Sequence, residues 1–210
     1  PAGYHQVSAS EGCTDNILGQ KESSSCTITN TDAPATAISC AAGVVYGISS
    51  AGQLQKVTQG VVDKVGDPAG TSSSAFNGLG IGAGGQPVYA INRSGSGTNQ
   101  SATVYQFDPA TGKWTQKGNG SFSTTTNLVG GAVNLKTGKY YFGGFTSNGD
   151  FGVYEYDPDT NTTSFKGTVK TGETTSASGD MAFDGEGNLY IVWGGSNTSR
   201  IYSVTAANFE

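Results

Sequence analysis

Three stretches of the chain read as copies of one another: "GLGIGAGGQPVYAI" from Gly78, "GAVNLKTGKYYFGG" from Gly131 and "GDMAFDGEGNLYIV" from Gly179. With Gly78, Gly130 and Gly179 taken as equivalent, a tyrosine follows 11 residues later in each copy, at Tyr89, Tyr141 and Tyr190. A second landmark comes next, in "VYQFDPATGKW", "VYEYDPDTNTTSF" and "IYSVTAANFE", whose tyrosines Tyr105, Tyr154 and Tyr202 stand 49 and 48 residues apart. A degenerate first copy, "AISCAAGVVYGISSAGQLQKVTQGVVDKVG", matches Tyr46 to Tyr89 and puts Leu54 in place of Tyr105. A period near 49 residues with about four short strands per unit predicts an all-β fold, a β-propeller-like array of blades. Four blades are expected, at about 37–67, 75–120, 126–170 and 177–210, preceded by a short β-hairpin segment in residues 1–36. The last blade is incomplete: it stops at Phe209 and Glu210, where an outermost strand should begin. Together with a first residue that is Pro1 and no signal-peptide pattern, this reads as a fragment of a longer chain.

Local chemistry agrees with strands and tight turns. Val104 and Gln106 alternate with Tyr105 and Phe107 as half-buried strands do. "DPATG", "LKTG", "DPDTN" and "DGEGN" carry Asp, Asn, Gly and Pro where hairpin turns want them. Gly accounts for 33 of 210 residues and charged residues for only 13%, a composition that makes poor helices. Ten tyrosines, nine phenylalanines and two tryptophans still supply a core. Gly80, Gly82 and Gly85 match the G-x-G-x-x-G of dinucleotide-binding loops. That loop needs a helix after its last glycine, whereas here "QPVYAI" follows and reads as a strand. The glycines are therefore expected to form an inner strand and a turn, and no cofactor is expected.

A net charge of −5 disfavours nucleic acid or an anionic membrane as partner, and no apolar run approaches the roughly 18 residues that span a bilayer. Cys13 and Cys26 flank a short polar segment, a separation that suits a disulfide closing a hairpin in an oxidising compartment. The other reading keeps both reduced and buried, and Cys40 competes for either partner. No CxxC or His/Cys cluster suggests zinc.

"SSCTITNTDAPA" resembles the closing strand and linker of the prealbumin-like or SpaA-like repeats of Gram-positive, mainly actinobacterial, surface proteins. From "VYGISSAGQLQKV" through "GDMAFDGEGNLYIVW" the chain resembles an uncharacterised bacterial surface propeller domain that follows such repeats. The resemblance implies that 1–36 is the end of a stalk module and 37–210 the propeller-like domain, displayed on the cell wall or secreted. It brings no catalytic residues with it.

Candidate site residues are few. "DGEGN" (Asp184, Glu186, Asn188) alternates oxygen ligands as a calcium loop does. It lacks the loop's sixth-position glycine, where Leu189 sits, and its twelfth-position Glu, where Gly195 sits, so a plain hairpin is favoured. Asp180 stands at the start of an inner strand, where its equivalents are Leu79 and Gly131, and is either a ligand group at the propeller mouth or a strand-start residue. Trp193 and Trp114, with Tyr140 and Phe142, form either a carbohydrate-stacking surface or packing between blades. The lone His5 lies outside the repeats, which leaves Ser-His-Asp chemistry without a base. A carboxylate pair for glycoside hydrolysis could come from Asp150, Glu155, Asp180 and Asp184. The expectation is a non-enzymatic surface module for adhesion, ligand binding or assembly, taking a glycan or protein ligand. A glycan-active propeller hydrolase is the first alternative. A filament subunit that self-associates through an open sheet edge is the second.

Overall fold

A computed structural model describes the two strands of residues 5–9 and 28–31 and the continuous segment 36–209. The chain divides into two compact units, Pro1–Thr36 and Ala37–Glu210. In the first, β1 (His5–Ala9) pairs antiparallel with β2 (Ile28–Thr31), with an irregularity between Gln6 and Ser8. Cys13 and Cys26 lie outside the described residues. Cys40 is an exposed free thiol.

The second unit is all-β and holds four antiparallel sheets, each a meander in which every strand bonds its sequence neighbour. The first has β3 (Val44–Ile48), β4 (Leu54–Thr58) and β5 (Val61–Val65). The second has β6 (Phe76–Ile81), β7 (Val88–Ser96), β8 (Asn99–Asp108) and β9 (Lys113–Ser123). The third has β10 (Asn127–Val133), β11 (Tyr140–Phe145), β12 (Phe151–Asp157) and β13 (Thr162–Val169). The fourth has β14 (Ser178–Phe183), β15 (Leu189–Gly194) and β16 (Ser199–Val204).

The meanders follow from their turns. Asp108 closes "DPATG" by accepting the Ala110 N–H and the Thr111 hydroxyl, and Asp157 accepts the Asp159 N–H in the sister turn. Four residues on, Gly112 and Asn161 take the left-handed conformation that reverses the chain (φ 67° and 54°), which glycine and asparagine tolerate best. "GAGGQ" is likewise a turn: a 3-10 segment over Ala83–Gly85 joins β6 to the strand β7.

The repeat is present at the level of register. Tyr89, Tyr141 and Tyr190 stand on the second strands β7, β11 and β15, opposite Gln106, Glu155 and Ser203. Tyr105, Tyr154 and Tyr202 each precede those partners on the third strands. Three details differ from the sequence alignment. Tyr46 faces Lys56, so Gln55, not Leu54, occupies the place of Tyr105. Opposite Tyr89, Tyr141 and Tyr190 stand Gly80, Ala132 and Ala182, which makes Asp180 the counterpart of Gly78 and Gly130 rather than of Leu79 and Gly131. The reason is a β14–β15 turn one residue shorter than the six-residue turns before it, which a constant spacing of 11 cannot register. Gly82 also falls after β6, beyond the strand that holds Gly78 and Gly80.

Because Tyr46 belongs to a second-strand position, the first sheet has no counterpart of β6, β10 and β14 among the described residues. Among the described residues the fourth sheet likewise has no counterpart of β9 and β13. After β16 the chain makes one helical turn, α1 (Ala206–Phe209), in place of the strand start expected at Phe209. Asn188 caps its first N–H through Oδ1, and the Phe209 ring docks edge-on to Tyr141 and Phe183.

Three apolar layers bind the four sheets. Ile38, Leu54, Val88 and Phe107 fill the space between the first and second. Tyr89, Ile91, Val104, Leu128, Tyr140 and Phe142 lie between the second and third. Tyr141, Phe145, Val153, Met181, Leu189 and Ile191 lie between the third and fourth.

Candidate functional site

The first strands β6, β10 and β14 run past one another, and glycine makes the approach feasible. A side chain at Gly80 would come within 2.9 Å of the Val133 amide, and one at Gly78 within 3.0 Å of the Gly131 amide. The buried Tyr140 hydroxyl locks this crossing by donating to the Gly78 carbonyl at 2.5 Å. Burial, with the Asp180 charge adding to it, pushes the Tyr140 phenol well above its ordinary range, so it remains a donor.

Two shallow depressions open on this column of strands. One, of about 240 Å³, is walled by Leu79–Ile81, Gly131–Val133, Leu135 and Asp180–Phe183. Asp180 is its ionisable group. The residue is open to solvent, yet its carboxylate crowds the bare backbone of Gly130, where any side chain would overlap it. Oδ1 accepts the Met181 N–H at 2.8 Å. Lost hydration on the crowded side raises its pKa, and the Met181 hydrogen bond partly offsets this.

The second depression, of about 230 Å³, lies where these strands begin and is lined by Asn77, Arg93, Asn127, Leu128, Val129, Ser178 and Gly179. Arg93 reaches it from β7. Its Nη1 donates to the Leu128 carbonyl at 2.5 Å and its Nε to the Ala75 carbonyl at 3.4 Å. Asn77 Nδ2 donates to the neighbouring Val129 carbonyl at 3.0 Å. The two side chains thus satisfy carbonyls at the irregularity in β10, the edge strand of the third sheet, between Leu128 and Gly130. Among the described residues Arg93 has no carboxylate partner, and burial lowers its pKa. Arg200, by contrast, bonds Glu173 at 2.5 Å. Among the described residues, the hydrogen bonds to Leu128 and Ala75 leave three of the five N–H groups of Arg93 for other partners.

The remaining candidates have structural duties. Asp184 accepts the Glu186 and Asn188 amides at Oδ1 and the Asn188 amide side chain and Tyr190 hydroxyl at Oδ2, so its own turn occupies both oxygens. The Asn188 hydrogen bonds, chiefly, hold its pKa low. Trp193 is buried in the layer between the third and fourth sheets, with Nε1 donating to the Thr175 carbonyl and Arg200 stacked 5.6 Å from its ring. Tyr140 and Phe142 are fully buried, and Trp114 packs on Phe107 at 5.3 Å, so these aromatics form packing layers rather than a stacking surface. Asp150 pairs with Lys170 at 2.6 Å in the β11–β12 turn. Glu155 accepts the Tyr141 hydroxyl at 2.6 Å and a Lys139 ammonium hydrogen bond at 3.2 Å. Asp150 sits between second and third strands and Asp184 between first and second, hence at opposite ends of their sheets. Among the described residues no group of three or more His, Cys, Asp or Glu side chains is placed to hold a metal, and no helix is long and apolar enough to cross a membrane.

Arg93 escaped sequence reasoning because its partners are backbone carbonyls, the farther one 35 residues away. The available signal was an arginine interrupting the "VYAIN" strand in a chain with only two arginines.

No family model matches the sequence, and no curated protein does. Among solved structures the chain is similar to Sqt1 of Saccharomyces cerevisiae, at 10% identity over 80% of this chain and 43% of that one, with a TM-score of 0.47. It is also similar to dipeptidyl peptidase 4 of Porphyromonas gingivalis, at 9% identity over 90% of this chain and 32% of that one, with a TM-score of 0.48. The chain thus spans less than half the length of either protein.

Proposed function

We propose that the four sheets are blades of a β-propeller and that the chain is a non-enzymatic recognition module, secreted or displayed on a cell wall, that takes a glycan or protein ligand. The carrying observation is the column of first strands: glycine crossings frame two depressions, one with the Asp180 carboxylate and the other with the Arg93 guanidinium. A solvent-exposed carboxylate offers acceptors to hydroxyls, and a guanidinium with spare N–H groups offers donors to an oxyanion. Both depressions fall below the 300 Å³ or so usual for an enclosed small-molecule pocket, which suits docking of one group of a larger ligand. Two-carboxylate glycoside hydrolysis is less well supported, since Asp150, Glu155 and Asp184 are engaged in separate structural bonds. The repeating register and the β6–β10–β14 alignment support the blade reading.

The test is an array of neutral and acidic glycans probed with the labelled chain, with Asp180→Asn and Arg93→Gln alongside. Selective retention that drops at least tenfold in one of the variants is expected. Uniform background binding, or release of cleaved glycan from the array, would overturn the reading.

A further inference from the structure

The chain holds three Asn–Gly steps, Asn77–Gly78, Asn119–Gly120 and Asn148–Gly149, and the fold treats them differently. Asparagine is thermolabile, most of all before glycine, where no Cβ screens the following amide nitrogen. That nitrogen must turn its electron pair onto the side-chain Cγ, so a step reacts only where both residues are unheld. Asn77 is held twice: its Nδ2 donates to the Val129 carbonyl at 3.0 Å, and its backbone pairs with Ile91 in the ladder. The Gly78 N–H donates to Asn77 Oδ1 at 2.8 Å, so the proton and not the electron pair faces the side chain. Gly78 is also buried, with its carbonyl accepting from Tyr140. Asn148 is exposed, but Gly149 is buried and engaged at both ends of its peptide unit. Its N–H donates to the Thr146 carbonyl at 3.0 Å and its carbonyl accepts the Thr171 hydroxyl at 2.8 Å. Glu173 lies against it, so close that a side chain there would come within 2.6 Å.

Asn119–Gly120 has none of these restraints. The β8–β9 ladder pairs Val104 with Lys117 and Ala102 with Phe122, so residues 118–121 bulge out opposite Thr103 alone. The Asn119 side chain is exposed and, among the described residues, has no hydrogen-bond partner. A Cβ placed on Gly120 (φ 103°) would meet nothing within 4 Å. The bulge is anchored one residue earlier, where the Gly118 N–H donates to Asn161 Oδ1 at 2.9 Å. We propose that Asn119 is a site of spontaneous covalent modification, converting to isoaspartate and aspartate, while the fold preserves Asn77 and Asn148. The Gly120 nitrogen gives its proton to water and bonds to Asn119 Cγ; the Cγ–Nδ2 bond breaks and Nδ2 leaves as ammonia. The five-membered succinimide so formed takes up one water. Cleavage between the Asn119 backbone carbonyl and the Gly120 nitrogen leaves isoaspartate, with the chain running through the side chain, and cleavage at Cγ leaves aspartate. Either product adds one negative charge to a chain of net charge −5. Isoaspartate also lengthens the bulge by one backbone carbon, beside the Gly118–Asn161 contact that joins the second sheet to the third.

The test is to incubate the full chain at neutral pH and body temperature, sample it over weeks, and map its peptides by mass spectrometry. Each conversion exchanges NH2 for OH and adds about 1 Da to one peptide, and electron-transfer fragmentation separates isoaspartate from aspartate. Asn119 should convert at least tenfold faster than Asn77 and Asn148. On anion exchange the wild type should gain a more acidic species that the Asn119→Gln variant, altered only at an exposed side chain, does not form. In guanidinium chloride all three steps should convert at rates within a few-fold of one another, which assigns the contrast to the fold rather than to the neighbouring residues. Conversion of Asn77 or Asn148 as fast as Asn119 in the folded chain overturns the proposal, and so does a contrast that persists unchanged in the denaturant. A folded chain that keeps all three residues intact while the unfolded chain converts them also overturns it, because the bulge then holds Asn119 as firmly as the turn holds Asn148.

Discussion

Replacing Tyr140 of β11 by Phe removes one oxygen atom from the crossing of β6 and β10. The ring keeps its neighbours, Tyr89 at 5.3 Å and Phe142 at 6.1 Å. What is lost is the hydrogen bond to the Gly78 carbonyl, made by a fully buried hydroxyl. A buried acceptor stripped of its partner costs about 1–3 kcal/mol, because the desolvation already incurred is no longer offset. For a unit of this size each kcal/mol moves the midpoint by about 2–4 °C, so the expected fall in Tm is about 2–12 °C. Tyr190→Phe is the matched control. It deletes the same atom from a counterpart one strand position away, where the hydroxyl reaches Asp184 at 3.2 Å from an exposed ring. An exposed change of that kind should stay within about 0.5 kcal/mol. Urea titrations of both variants, followed by tyrosine fluorescence and by far-UV dichroism, give the comparison. Equal losses for the two variants would refute the reasoning, because the argument rests on burial at the crossing and not on the hydroxyl as such.

Further outcomes follow from charge. Glu173, whose pKa is lowered first by the Tyr202 hydrogen bond and then by Arg200, contributes stability that is present above the ordinary glutamate pKa. That stability is lost as pH falls through the depressed folded value, so Glu173→Gln should flatten the acid limb of a Tm-against-pH curve; an unchanged limb would count against the pair. Asp180 is the reverse case: its raised pKa favours folding while it is protonated, and the benefit is lost as pH rises through the folded value. Asp180→Asn should therefore match or exceed wild-type Tm at pH 7 and show less gain on acidification, and a lower Tm at pH 7 would contradict the crowded-carboxylate picture. At the alkaline end Tyr89 is pushed up to about 12 by burial, with Tyr156 adding to it, and burial also holds Tyr140 well above the ordinary range. Their contribution is full below about pH 10 and lost above it. Ultraviolet titration should show fewer than ten tyrosines ionising before unfolding, and ionisation of all ten in the folded chain would refute it.

Sequence reasoning reached the sheets because their specification is local. Asp108, Asp157 and Asp184 each close a turn within a few residues of themselves, and alternation along β8 sends Val104 and Phe107 to opposite faces, each against a different neighbouring sheet. It lost the register of Asp180 because a turn shortened by one residue is invisible to a fixed spacing, and only the ladder from Ala182 to Tyr190 restores it. It lost Arg93 for a different reason. A guanidinium that binds carbonyls of a bulge has no complementary residue type to look for, so no pairing of letters signals it. For the aromatic residues packing between sheets was the better-supported of two readings and is what the structure shows, although Trp193, Trp114, Tyr140 and Phe142 are as suitable for stacking on a sugar as on one another.

Burial is where this non-locality shows most plainly. The β16 segment carries Ile201 in the position where β8 carries Val104 and β12 carries Val153. All three pair with the second strand of their sheet in the same register, although β8 and β12 also pair with a fourth strand and β16 does not. What separates 72% exposure from 1% or 2% is the presence of a following sheet, a property of the array and not of the strand. The same holds for Val45 against Val88, Tyr140 and Leu189 on the preceding side. A repeat unit is thus written for two neighbours, and whether a given row is buried is decided outside the unit.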